Sequence, residues 1–132
     1  MNLRIPSPLD PGLEQVISEV IGACIAVHRE LGPGLLETIY HRAVAIELNS
    51  RGISHEVERS IPIVFKGELV CHQRLDLIVD ERVVVELKSV ERLVPLHVAQ
   101  TISYLRATKL RAALLVNFNV ALLKDGIRRI VL

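Results

Sequence analysis

A chain of 132 residues, half of them hydrophobic and only 3% aromatic, has the size of one ordinary domain and the means to build an aliphatic core. Its two cysteines, Cys24 and Cys71, form no C-x-x-C pair, which argues against a disulfide framework or a Cys-rich zinc site and for a reducing cytoplasm. The formal net charge is only +1 but is unevenly spread: residues 1–60 hold 8 acidic and 5 basic side chains, residues 61–132 hold 7 and 11. That basic bias is either a footprint for phosphates or a solvated face with no partner.

The opening "MNLRIPSPLD" lacks the apolar core of a signal peptide, and a loop is expected over 1–12. No apolar run approaches the ~20 residues of a membrane span. Asp10 followed by Pro11 reads as an N-cap with proline at the first helical position. Leu13, Ile17, Val20, Cys24, Val27 and Leu31 then recur at spacings of three and four, the buried stripe of a long amphipathic helix. "LGPG" at 31–34 breaks it, and a second helix is expected from Leu35 to Arg51, ended by Gly52. The period then changes: "ISHEVE", "IPIVFKG", "ELVCHQRLDLIV" and "RVVVELKSV" read as four strands, with a turn at Lys66-Gly67. A third helix fits Pro95 to about Thr108, "RAALLVNF" is a buried strand, and "DGIRRIVL" is a turn and a last strand. The order α-α-β-β-β-β-α-β-β predicts a single three-layer α/β domain over 1–132, a central mixed sheet flanked by helices.

The most strand-like stretch, "RLDLIVDERVVVELKSV" (74–90), carries charges that a plain core strand would not. Alternation puts Glu86 and Lys88 on one face and Val83, Val85 and Leu87 on the other. A three-residue loop, Asp80-Glu81-Arg82, would pair Val79 with Val83, Asp76 with Glu86 and Arg74 with Lys88. A two-residue loop would send Asp76 to the opposite face. Facing carboxylates are costly in a sheet, and a divalent cation between them removes the cost. A lysine two residues along could orient a water or steady charge developing on a phosphate. The alternative is an ordinary Lys–Glu pair on a half-exposed sheet face.

Two helices add polar groups. Glu37, Tyr40 and His41 share a face of the second helix. Glu37 could be a third carboxylate on a metal or simply a first-turn acid suited to the helix dipole. Tyr40 could be a core residue with a satisfied hydroxyl. A zinc site of Glu37 and His41 lacks a second histidine at partner spacing. Gln100 and Tyr104 share a face of the third helix, where they either hydrogen-bond into a site or supply surface polarity.

Taken together, Gly34-x-x-Glu37-x-x-Tyr40, then Asp76…Glu86-x-Lys88, then Gln100-x-x-x-Tyr104 resemble the GxxExxY family, a RecB-like branch of the PD-(D/E)XK nuclease superfamily. "AVHRELGPGLLE", "RLDLIV", "VVVELKSVE", "AQTISYL" and "LKDGIRRIVL" extend the likeness over about residues 13–132. The resemblance implies a restriction-endonuclease-like fold. It implies Mg²⁺ or Mn²⁺ held by Asp76, Glu86 and the helical acid Glu37, with Lys88 as the catalytic lysine. It implies that Gln100 and Tyr104 line the site beside the substrate backbone. The expected activity is metal-dependent hydrolysis of nucleic-acid phosphodiesters, with DNA favoured. Tyr40, Arg74, Arg92, Gln100 and Tyr104 are expected along the bound strand, and the basic C-terminal third supplies phosphate contacts. A non-cleaving module on the same fold, binding nucleic acid or protein, is the alternative. A homodimer built on the aliphatic first helix is compatible with either.

Overall fold

In the computed structural model, which describes residues 9–132, Asp10 caps the first helix as its sequence predicts. Its carboxylate accepts a hydrogen bond from the Leu13 backbone N–H at 2.9 Å, and Pro11 follows at the first helical position. Helix α1 runs Pro11–Leu31 and α2 Glu37–Ser50. Pro11 and Gly12 therefore belong to α1 and not to the loop expected over 1–12, whose residues 1–8 lie outside the described residues. Strands β1 (His55–Val57), β2 (Ser60–Phe65), β3 (Glu68–Arg74), β4 (Leu77–Val79) and β5 (Val83–Lys88) follow. Helix α3 (Pro95–Thr108), β6 (Ala112–Asn117), a 3₁₀ turn (Leu123–Gly126) and β7 (Ile127–Val131) complete the described chain.

Five strands form one mixed sheet in the order β1-β4-β5-β6-β7, and β2 and β3 form a separate two-stranded ribbon. Only β5 and β6 are parallel, joined by the crossover helix α3; the other pairs are antiparallel. The sheet is covered on both faces. On one, Ile17, Val20 and Cys24 of α1 and Tyr40, Val44 and Leu48 of α2 pack on Val83, Val85 and Leu87. On the other, Tyr104 and Leu105 of α3 pack with Val84, Ala113, Ile78, Leu75 and Ile61. This is the restriction-endonuclease-like arrangement that the motifs imply. The stripe of α1 is buried against its own sheet from Leu13 to Val27, while Leu31 at its end stays exposed. Among the described residues no helix is long and apolar enough to cross a membrane.

The four strands expected before α3 are five, because "ELVCHQRLDLIV" is not one strand. Beyond Arg74 the chain leaves the β2–β3 ribbon and enters the main sheet at Leu77. The alternation slips at that step: Leu75 and Ile78 lie in the α3-side cluster, whereas Leu77 and Val79 lie in the α1/α2-side cluster. Arg74 therefore does not face Lys88. It pairs with Ser60 in the ribbon, and its guanidinium stands exposed, 3.7 Å from Glu58.

The loop between β4 and β5 has the expected three residues. Val79 pairs with Val83 and Leu77 with Val85, which continues to Asp76 beside Glu86. Asp80 and Glu81 both adopt positive φ, 53° and 54°, and Arg82 N–H closes onto Val79 C=O at 3.0 Å. That backbone matches the twist of a tight hairpin.

Candidate metal and phosphodiester site

β5 changes character halfway along. Val83, Val84 and Val85 are buried against both helical layers, and the next residue, Glu86, is just as enclosed at 3% exposed. The register that seats the valines carries Glu86 to the end of β4, where Asp76 begins the turn out of the sheet. Each carboxylate is locked by the other strand's backbone. Glu86 Oε1 accepts from Asp76 N–H at 3.1 Å, and Asp76 Oδ2 accepts from Leu87 N–H at 2.9 Å. Among the described residues, neither Asp76 Oδ1 nor Glu86 Oε2 accepts a hydrogen bond from the backbone.

Burial, and then the negative charge of Asp76, push the Glu86 carboxyl up to about 8; the Lys88 ammonium two residues along works in the opposite direction. Lys88 is half-buried at the end of β5. The loop after it is fixed by Asn117, whose side chain accepts from Val90 N–H at 3.0 Å and donates to Val90 C=O at 2.9 Å.

On the other side of Asp76, α2 presents a histidine. His41 Nε2 stands 3.4 Å from Asp76 Oδ2 and 3.4 Å from the Leu87 carbonyl oxygen. The three line a cavity of about 320 Å³ between α2 and the end of β1, with Arg42, Val57 and Glu58 along it. The helix thus turns His41, one turn after Glu37, toward the acid pair. Glu37 opens α2 half-buried. Among the described residues no three His, Cys, Asp or Glu side chains stand together as a metal-holding group, so Glu37 does not join Asp76 and Glu86 in an assembled three-carboxylate cluster.

From the α3 face, Tyr104 brings its hydroxyl toward the acids. Burial, chiefly, and the charges of Glu86 and Asp76 push its phenol up, while hydrogen bonds from Gln73 and Gln100 pull it down. Gln73 Nε2 donates to the Tyr104 hydroxyl at 3.1 Å. Gln100 and Tyr104 are therefore placed together, one turn apart on the same side of α3. Arg92 lies exposed in the loop between β5 and α3.

Tyr40 requires a correction. It is fully buried and stacked on Phe118 with ring centroids 4.5 Å apart. Its hydroxyl donates to the Gly32 carbonyl at 2.6 Å and accepts from Leu35 N–H at 3.1 Å. No part of it is left to touch a nucleic acid; it staples the break between α1 and α2.

Two participants were not singled out for these places by the sequence. His41 was visible on the face of Glu37, but nothing in the spacing showed that it, rather than Glu37, reaches Asp76. Gln73 carried no signal at all, because one unbroken strand would turn it away from Asp76.

The donor set suits a hard divalent cation. Two carboxylates each keep an oxygen free of the backbone, and a main-chain carbonyl, Leu87 O, lies beside them. Burial and the neighbouring charge of Asp76 both disfavour the ionised Glu86 carboxyl, and a cation between the two would offset that cost. No curated protein and no solved structure matches the chain. The family model of the PD-(D/E)XK nuclease superfamily matches residues 14–130, nearly the whole length and every group described above. The chain belongs to the PD-(D/E)XK nuclease superfamily.

Proposed function

We propose that this chain is a Mg²⁺- or Mn²⁺-dependent nuclease of the GxxExxY, RecB-like kind, hydrolysing nucleic-acid phosphodiesters, DNA foremost, within one domain. The observation that carries this is the Asp76–Glu86 pair, locked side by side by reciprocal backbone hydrogen bonds with Lys88 following on the same strand. Asp76 and Glu86 would hold the cation, with the Leu87 carbonyl beside them. When bound, the cation supplies Lewis acidity at the phosphate and lowers the pKa of a water. Lys88 orients the attacking water and steadies charge developing on the phosphate. Glu37 stands by on α2 as a further acid, and Gln100 and Tyr104 line the strand on the α3 side. Arg92 contacts backbone phosphates in a sequence-independent, salt-sensitive way. A reducing cytoplasm suits the exposed thiol of Cys71.

The test is cleavage of labelled single- and double-stranded DNA and RNA with Mg²⁺ or Mn²⁺, with wild type beside Lys88→Ala and Asp76→Asn. Metal-dependent cutting that vanishes in both variants supports the nuclease. Equal cutting in all three is contamination and sinks it.

One observation favours a second reading, a binding module that does not cleave. His41 Nε2 rests against the Leu87 carbonyl oxygen that a cation would use, and against Asp76 Oδ2 next to it. A metal titration separates the two. A cation bound only by the folded chain raises its melting temperature with concentration; no cutting together with no thermal shift selects the binding module.

A further inference from the structure

Gln73 belongs to the ribbon, not to the main sheet, yet it meets the acid site. Its partner in the ribbon, Ile61, is buried in the α3-side cluster with Tyr104 and Leu105. That anchoring fixes the root of the ribbon against α3 and leaves Gln73 half-buried over the Tyr104 hydroxyl. The two residues come from a strand, β3, and a helix, α3, and are 31 positions apart, so only the fold brings them together.

A tyrosine hydroxyl has one proton to donate and lone pairs to accept with. Gln73 Nε2 donates into the oxygen at 3.1 Å. Gln73 therefore occupies the acceptor side. Tyr104 packs on the face of the sheet that holds Val84 and Ile78, and alternation along β5 carries Glu86, with Asp76 beside it, to that same face. With Gln73 on its acceptor side, the hydroxyl keeps its proton for a substrate oxygen held by the acid pair.

We propose that Gln73 is a positioning residue for Tyr104: it fills the acceptor side of the hydroxyl and so presents the hydroxyl proton to the phosphate oxygen beside Asp76 and Glu86. This rests on the nuclease reading above. Gln73 touches no reacting atom; it acts through Tyr104.

The experiment compares Gln73→Glu, Gln73→Met and Tyr104→Phe, alone and combined, in Mn²⁺-dependent cleavage. Gln73→Glu replaces the donor by an acceptor and draws the tyrosine proton away. It should lower kcat about 10- to 100-fold with KM little changed, the usual cost of disturbing a group that orients a site residue. Gln73→Met removes the hydrogen bond at similar volume and should cost less. In the Tyr104→Phe background Gln73→Glu should cost nothing further, because the hydroxyl it steers is gone. An equal loss in both backgrounds overturns the proposal.

A second readout needs no catalysis. The chain has two tyrosines, so labelling the tyrosine Cζ carbon alone gives two resonances. The Tyr104 signal, assigned through Tyr104→Phe, should move in Gln73→Glu, and the Tyr40 signal should not. An unmoved Tyr104 signal overturns the proposal. If wild type cuts nothing but the signal moves, the nuclease reading and the catalytic half of the proposal fall, and the Gln73–Tyr104 coupling stands.

Discussion

Each face of the central sheet carries one of the chain's two tyrosines. On the α1/α2 face Tyr40 is sealed in by Phe118, Val44 and Leu48, and its hydroxyl is shared between two backbone groups, Gly32 C=O and Leu35 N–H. On the α3 face Tyr104 is nearly as enclosed, but its hydroxyl is met by a side chain, the Gln73 amide. Backbone partners are fixed by the fold and have no spare capacity, so Tyr40 holds structure. Side-chain partners can be exchanged for a ligand, which is what the role proposed for Tyr104 requires. Residue type and burial are alike in the two places; what the hydroxyl meets decides the role.

The sharpest way to break this comparison is to delete Tyr40. Tyr40→Ala empties a buried aromatic site and abandons two backbone groups, and should cost roughly 3–5 kcal/mol. Against a total stability of roughly 5–15 kcal/mol, that is from about a fifth to the whole of it. Urea denaturation checks it. A loss below about 1 kcal/mol would mean that the α1–α2 break is held by something else.

The acid pair gives the next largest effect. The Glu86 carboxyl is raised from 4.5 to about 8 on folding, chiefly by burial and then by Asp76. Between those values the folded chain keeps a proton that the unfolded chain releases. The stability tied to that proton is fully present below about pH 4.5 and is lost as pH rises through about 8. Glu86→Gln cannot lose it. Measured with chelator, the variant should pull ahead of wild type from pH 5 to pH 8, with a melting temperature at pH 8 higher by about 5 °C. Mg²⁺ or Mn²⁺ should narrow the gap from the wild-type side only. A gap independent of pH would show that burial of Glu86 is not what strains the site.

Much of this was legible in the sequence because local rules and the fold agree. Asp10-Pro11 opens a helix, the stripe from Leu13 to Val27 is buried, and Val79 pairs with Val83 across three residues. Given that register, Asp76 beside Glu86 follows from alternation alone. The failures share one cause. The chain changes sheets between Arg74 and Leu77, and no residue there signals it: there is no Gly, no Pro and no charge run. One slipped step of alternation moves Arg74 out to Glu58 and brings Gln73 in to Tyr104. Tyr40 was ambiguous for another reason. Helical spacing fixes which face a side chain takes, but not whether the space there is protein or solvent; only the position of Phe118, from the far end of β6, decides it.

Removing only the hydroxyls gives smaller effects and compares the two tyrosines most closely. Tyr40→Phe keeps the stacked ring but leaves the Leu35 N–H and Gly32 C=O without their partner, at a cost of about 1–2 kcal/mol. Tyr104→Phe also removes a hydrogen bond, yet Gln73 is half-buried and water can replace the lost partner. Its stability should change by less than about 0.5 kcal/mol. Cleavage should rank the pair in reverse: Tyr104→Phe slowed by roughly 100-fold as a donor leaves the site, Tyr40→Phe near wild type wherever it stays folded. The contrast fails if both variants lose stability alike, since the Tyr104 hydroxyl would then be a structural bond like that of Tyr40 and not one held open for a ligand.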